Sequence, residues 1–264
     1  MKKLRTLLTL LVVSICAVQS AWADRSAPVL PTAVAPVSGQ SYYLYNVMEQ
    51  KFLCRSTTNT AYAAIGAYGD KITITATANE GEYTIQWASN NYYFYAQDTY
   101  VSSSSNPNAK TRLFSIAESA KGYTIQRSPN NTSYYKADEF IGYDGSNGDR
   151  LTPALAEGSI HWTFLQDAEA EHYIAKLKLY TYLTIADTYN FYVTQYDAVY
   201  NDPASTTEQL NEAYETLYDA VTVSSSYVSP SWTEYPILFQ NLTENKWKKS
   251  SNGLSVTLKS NGTV

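Results

Sequence analysis

Between residues 40 and 166 apolar and polar positions alternate in short runs, the period of a half-buried strand. Tyr43-Leu44-Tyr45-Asn46, Tyr83-Thr84-Ile85-Gln86 and Tyr123-Thr124-Ile125-Gln126 stand 40 residues apart, and 40 again. A second run follows each: Lys51-Phe52-Leu53-Cys54, Tyr92-Tyr93-Phe94-Tyr95 and Tyr134-Tyr135-Lys136-Ala137. A third comes at Ala61–Ile65, Thr99–Val101 and Phe140–Tyr143, and a fourth at Lys71–Ile74, Arg112–Ile116 and Ile160–Phe164. The runs are rich in Tyr, Ile, Thr and Phe, which suit a pleated, half-buried surface. Turn formers separate them, among them Gly69-Asp70, Glu80-Gly81, Asn90-Asn91, Pro129-Asn130-Asn131 and Gly145-Ser146-Asn147-Gly148. The pattern predicts four short strands per unit and three units in succession.

A unit that buries only one face needs its neighbours, so three in a row imply a closed, pseudo-symmetric barrel. These units resemble the β-trefoil family, in particular its ricin-type lectin modules. The resemblance covers about half the chain and implies a mainly β domain over residues 40–166. Of the Gln-x-Trp signature that closes ricin-type units, only Trp162 is present, in Ile160-His161-Trp162-Thr163-Phe164.

Near Asp167 the period changes. Ala170, Tyr173, Ile174, Leu177, Tyr180 and Leu183 recur at helical spacing, and a second helical run covers about 190–200, before Asn201-Asp202-Pro203. Ser205-Thr206-Thr207-Glu208-Gln209 reads as an N-cap with a capping box, opening a third run through Leu210, Ala213, Leu217 and Val221. The segment 167–224 is therefore expected to form a small helical bundle or hairpin. It resembles the helical spacers between domains of secreted bacterial glycan-active proteins. Beyond it the chain is β-like again, at Tyr235–Phe239, Lys246–Lys248 and Leu254–Leu258. Asn252-Gly253 and Asn261-Gly262 both signal hairpin turns, and no returning strand follows the second. Residues 225–264 are expected to be an incomplete β segment, the start of a further β-rich domain of a longer protein.

The beginning of the chain has another character. Lys2, Lys3 and Arg5 precede an apolar run from Leu7 to Ala17, and Ala21-Trp22-Ala23 supplies a small-x-small cleavage site. Residues 1–23 read as a signal peptide cleaved after Ala23, with 24–39 as a linker, which implies a secreted or cell-surface protein. Cys16 has Ile15 before it, where a lipoprotein signal wants a small residue, so a lipid anchor is disfavoured. The full chain carries a formal net charge of −5, and the leader takes away basic residues only. Such an acidic surface argues against nucleic acid or anionic membrane as a partner. Cys54 is left alone after cleavage and has no partner for a disulfide, so the core must hold the domain together.

Twenty-five tyrosines are a large excess, and many are adjacent or alternate. Neighbouring strand residues face opposite ways, so one ring of each pair packs inward while the other reaches solvent. A ricin-like sugar site joins a carboxylate, a stacking aromatic and an amide. In unit three Asp138 or Asp144, Tyr143 and Asn147 supply that set. In unit two Asp98, Tyr100 and Asn106 give a thinner version. The oxygen-rich stretch Asp144–Asp149 lacks the order and the terminal Glu of an EF-hand and reads as a turn cluster.

Chemistry is hard to place elsewhere. His161 and His172 are the two histidines, and neither has a second His or a Cys at zinc-ligand spacing. There is no Gly-x-Ser-x-Gly elbow, phosphate loop or dinucleotide fingerprint. The expectation is a non-catalytic binding module without cofactor or metal, taking a glycan or a surface protein as partner. The alternative is a structural or protein-interaction scaffold at the front of a larger secreted glycan-active hydrolase.

Overall fold

The structure, a computed structural model, describes residues 25–96, 99–131, 136–188, 193–227, 248–250 and 253–255. These divide into two compact units, one of residues 30–174 and one of 25–29 with 175 onward. The first is a mainly β unit of twelve strands, all paired antiparallel. Unit one of the repeat gives β1 (Ser41–Asn46), β2 (Lys51–Arg55), β3 (Ala63–Gly66) and β4 (Ile72–Ala76). Unit two gives β5 (Glu82–Trp87), β6 (Tyr93–Ala96), β7 (Val101–Ser104) and β8 (Phe114–Ser119). Unit three gives β9 (Gly122–Arg127), β10 (Phe140–Gly142), β11 (Thr152–Leu155) and β12 (His161–Gln166).

The pairing repeats in register. Within each unit the first strand pairs with the fourth, setting Tyr42 opposite Ile72, Tyr83 opposite Phe114 and Tyr123 opposite Trp162. Between units the fourth strand pairs with the next unit's first. Ile74 then faces Ile85, Ile116 faces Ile125, and Phe164 of the third unit faces Leu44 of the first. Nine of these twelve positions, Tyr42, Leu44, Ile72, Ile74, Ile85, Phe114, Ile125, Trp162 and Phe164, are fully or nearly fully buried in one core. Tyr42 and Tyr123 both meet Phe164 edge-on, with ring centroids 5.4 Å apart. The second and third strands of each unit form a hairpin off this ring of pairings: β2 with β3, β6 with β7, β10 with β11.

Two details differ from the expectation. Unit three was expected to place its second strand at Tyr134–Ala137 and its third at Phe140–Tyr143. Residues 134 and 135 lie outside the described residues, and Phe140–Gly142 takes the second place, pairing with Gln126 as Tyr93 does with Gln86. The third place falls to Thr152–Leu155. Its Pro153 argues against a strand in sequence, yet β11 pairs only with β10 and lies at an edge, where the missing N–H costs no ladder bond. Residues 30–39, expected as linker, are fastened to the sheet. Val34 N–H donates to the Phe164 carbonyl at 2.9 Å, Ala33 bridges to Leu165, and Ser38 Oγ caps the Ala76 N–H.

Gly122 opens β9 at φ +114°, and a Cβ there would stand 2.6 Å from the Trp162 carbonyl oxygen. Only glycine fits a backbone that close. Cys54 is a free, partly buried thiol on β2, pushed up to about 12 mainly by burial and then by Asp70 and Asp149. Burial of this kind raises a thiol's pKa and lowers its reactivity.

The second unit holds most of helix α1 (Asp167–Thr188), with α2 (Thr194–Asn201) and α3 (Thr207–Tyr227). Ala175, Leu179, Leu183 and Ala186 of α1 pack with Val193, Tyr200, Leu210, Ala213, Leu217 and Val221. The expected capping box is formed. Gln209 N–H donates to Thr206 Oγ1, and Thr206 N–H donates to Gln209 Oε1 at 2.8 Å. Arg25 sits between two helices, bonded to Asp187 and Asp197. Of the expected tail, β13 (Lys248–Ser250) pairs with β14 (Gly253–Ser255), setting Ser250 opposite Gly253. Gly253 thus stands in a strand, not in the turn expected at Asn252-Gly253. The rest of 228–264, and the leader, lie outside the described residues.

One buried charge ties units two and three together. Glu82 is 4% exposed, and its carboxylate accepts from Thr77 Oγ1 at 2.6 Å, Asn79 Nδ2 at 3.0 Å, Asn130 Nδ2 at 2.8 Å and Ser128 Oγ. Burial pushes its pKa up, but the four donors outweigh that and hold it at about 2. A carboxyl ordinarily near 4.3 is thus protonated less readily in the folded state, a difference of about 3 kcal/mol. That stability is present above about pH 4.3 and is lost as pH falls toward 2. Denaturant unfolding between pH 7 and pH 2 should show the wild type losing about 3 kcal/mol more than Glu82→Gln. Parallel curves would contradict the account.

Candidate functional site

The three hairpins meet at their tips. Val101 N–H donates to the Leu151 carbonyl at 3.3 Å, Leu151 N–H to the Ala63 carbonyl at 2.9 Å, and Ser103 N–H to the Ala61 carbonyl at 2.6 Å. Tyr62 bridges to Ser102 and Ala64 to Arg150. Ala63, Val101 and Leu151 therefore occupy matching positions, each almost fully buried. The residue before each faces the other way, as strand alternation requires. Those residues are Tyr62, Tyr100 and Arg150.

They form one cluster. The Tyr62 and Tyr100 rings lie 5.1 Å apart at 55°. The Arg150 guanidinium carbon is 4.5 Å from the Tyr62 ring centre and 5.3 Å from that of Tyr100. Arg150 Nη2 also donates to Thr58 Oγ1 at 3.3 Å. All three side chains are partly exposed.

The unit-three loop forms a polar rim. Asn147 Nδ2 donates to the Thr99 carbonyl at 3.5 Å and to Ser146 Oγ at 3.2 Å, which joins the loops of units two and three. Asp144 Oδ1 accepts from Ser146 N–H at 2.9 Å, Ser146 Oγ at 2.6 Å and Thr152 Oγ1 at 3.2 Å. These bonds, the Ser146 hydroxyl first, hold its pKa below the usual carboxylate range. Asp149 accepts from Ser56 Oγ at 3.0 Å and from Thr57 N–H at 3.3 Å. Both carboxylates spend hydrogen bonds on their own or neighbouring loops.

Of the residues expected to bind ligand, Tyr100, Asn147 and the Asp144 loop come together here. Asp138 does not join them. It lies in the turn before β10 whereas Asp144 follows the strand, so the two carboxylates stand at opposite ends of β10. Tyr143 packs partly against the core, with Lys51 Nζ 5.9 Å from its ring centre. Asp98 lies outside the described residues. Tyr62, Thr58 and Arg150 are not among the residues that the sequence singles out. For Tyr62 and Arg150 the signal is positional, one residue ahead of the matching core residues Ala63 and Leu151, and it depends on recognising β11.

Two other groupings lie apart from the hairpin tips. A cleft of about 530 Å³ runs along Val34, Val37, Gln40, Gln166, Asp167 and Glu171, and shares no residue with the hairpin tips. Its carboxylates are already bonded to Lys71, at 3.1 and 2.9 Å, and Glu171 also accepts from Tyr43 OH at 3.3 Å. Ser119 Oγ lies 3.0 Å from His161 Nδ1, a serine–histidine pair. That hydroxyl also faces the Gly122 carbonyl at 3.0 Å, so its one proton has two acceptors within reach, and among the described residues the pair has no carboxylate to orient it. Among the described residues no three His, Cys, Asp or Glu side chains gather as metal ligands. No described helix is long and apolar enough to cross a membrane.

No family model and no curated protein sequence matches the chain. Among solved structures it is similar over part of its length to a salivary protein of Culex quinquefasciatus from a cysteine- and tryptophan-rich family. Identity is 14% and the TM-score 0.41, covering 50% of this chain and 96% of that one. SeviL, in a structure bound to asialo-GM1 saccharide, matches at 15% and 0.37, covering 49% and 98%. A GlcNAcα1-4Gal-releasing endo-β-galactosidase from Clostridium perfringens matches at 14% and 0.39, covering 48% of this chain and 33% of its own. Scores this low assign neither a fold family nor a ligand.

The cluster makes an energetic prediction of its own. A guanidinium against an aromatic face at a partly exposed site contributes about 0.5–1 kcal/mol. A double-mutant cycle on unfolding, with Tyr62→Leu and Arg150→Met, should return a coupling of that size. Additive losses would contradict the contact.

Proposed function

We propose that residues 30–174 form a β-trefoil that works as a non-catalytic glycan-binding module outside the cell. The trefoil reading is supported by the path β1–β4–β5–β8–β9–β12, whose last strand pairs with its first, and by the three hairpins off that path. The secreted location rests on the charged, apolar and small-residue pattern of residues 1–23.

The observation that carries the binding reading is the meeting of three hairpin tips. It sets two tyrosine rings, an amide, hydroxyls and a guanidinium at one partly exposed place. Aromatic faces pack on the C–H faces of sugars, while fixed polar groups choose among hydroxyl patterns. The Ser119–His161 pair without an orienting carboxylate among the described residues and the ion-paired carboxylates of the cleft favour binding without turnover.

A broad glycan array with the full chain tests this. Binding is expected, and Tyr100→Ala and Asn147→Ala should each weaken it about tenfold while the melting temperature stays within a few degrees of wild type. An array without binding, or hits indifferent to both substitutions, would overturn the assignment.

One observation favours a second reading, a protein-interaction scaffold. In the helical unit Tyr182, Tyr214 and Tyr218 stack on one another at 5.0–5.8 Å, and Tyr218 is 37% exposed. Exposed tyrosines in a group suit a protein partner. Alanine at Tyr218 should leave glycan binding unchanged under the first reading.

A further inference from the structure

We infer that the glycan taken at the hairpin tips carries a carboxylate, as a uronic or sialic-type sugar does, and that Arg150 receives it. This rests on the glycan-binding reading above and narrows it to one ligand class.

Among the described residues Arg150 is a cation without an ion pair, as is Arg112 over the Tyr93 ring. Arg25 is paired with Asp187 and Asp197, Arg55 with Asp70, Lys71 with Asp167 and Glu171, and Lys136 with Glu139. Among the described residues Arg150 has no carboxylate partner, although Asp149 precedes it and Asp144 lies in the same loop. Both oxygens of Asp149 and Oδ1 of Asp144 are engaged instead by Ser56, Thr57, Ser146 and Thr152.

The geometry then says what Arg150 can accept. A guanidinium has five N–H donors in a planar fork, and one of its nitrogens is given to Thr58 Oγ1. The rings of Tyr62 and Tyr100 hold it at 4.5 and 5.3 Å, so little side-chain freedom is left to lose on binding. A planar, held fork matches the two oxygens of a carboxylate. Asn147 and Thr58 beside it match the hydroxyls that a sugar acid carries next to its carboxyl group.

Net charge narrows the class further. With a formal charge of −5 the chain repels extended polyanions, so recognition must come from local contact rather than from long-range attraction. A single carboxylate on an otherwise neutral glycan fits that balance, and a polysulfated or polyphosphate chain does not.

The test presents the full chain with matched glycans: sialylated and uronate-containing ones, the same glycans with the carboxyl reduced to an alcohol, and their neutral counterparts. Carboxylate forms are expected to bind about tenfold or more tightly than the reduced forms, the loss of one charge-assisted pair. Arg150→Gln should bring the carboxylate forms down to the level of the reduced ones, and Arg150→Lys should recover binding only in part, since an ammonium lacks the fork. The reduced glycans test the wild type directly, so a variant that folds poorly does not decide the matter. Equal binding of carboxylate and reduced forms would overturn the inference and leave glycan binding standing. Carboxylate preference untouched by Arg150→Gln would overturn the role of Arg150. No binding to any glycan would remove both this inference and the reading it rests on.

Discussion

Each repeat has one apolar face and no means of covering it alone. What covers it is the neighbouring repeat, through the facing pairs Ile74–Ile85, Ile116–Ile125 and Phe164–Leu44. The third pair matters most, because it joins the last strand of the repeat region to its first. Without it β1 and β12 would be bare edges beside an uncovered core. Burying a side chain of this size stabilises by roughly 1.5–3 kcal/mol. Trp162 and Phe164 of the closing strand are both essentially inaccessible, so β12 carries a large share of the core.

The same constraint makes the hairpin tips meet. Once first and fourth strands share a core, the hairpins between them are brought to one end, where Ala63, Val101 and Leu151 fill the interior. Whatever precedes those residues must crowd together on the outside. Two tyrosines there would leave room for a third ring, and unit three supplies Arg150 instead. Function, in this account, enters at the position where the repeat is broken. The buried Glu82 network is a different kind of break. It fixes the β9–β10 connection to unit two with hydrogen bonds that apolar packing could not direct.

The sequence shows the fold well wherever burial recurs. Leu44, Ile85 and Ile125 keep nearly the same step, as do the aromatic and aliphatic residues of the fourth strands, because each must fill an equivalent place in the core. It is a poor guide where the constraint is backbone rather than core. β11 carries Pro153 at an edge and has no strand signature, and residues 30–39 pair with the sheet without any periodic pattern of their own. The candidate site was half visible. Tyr100, Asn147 and the Asp144 loop stand out as aromatic, amide and carboxylate. Tyr62 is one tyrosine among twenty-five, and Arg150 looks like any surface arginine until its two neighbours from other units are in place. Asp138 and Asp144 are close in sequence, yet a strand lies between them.

The central claim is that three repeats build one shared site at their meeting point and not a separate site in each repeat. Calorimetric titration of the full chain with the tightest-binding glycan from the array measures this directly. One glycan is expected to bind per chain, with Tyr62→Ala, Tyr100→Ala and Arg150→Gln each weakening the same single event. Two or three equivalents per chain, reduced one at a time by substitutions in different repeats, would contradict it.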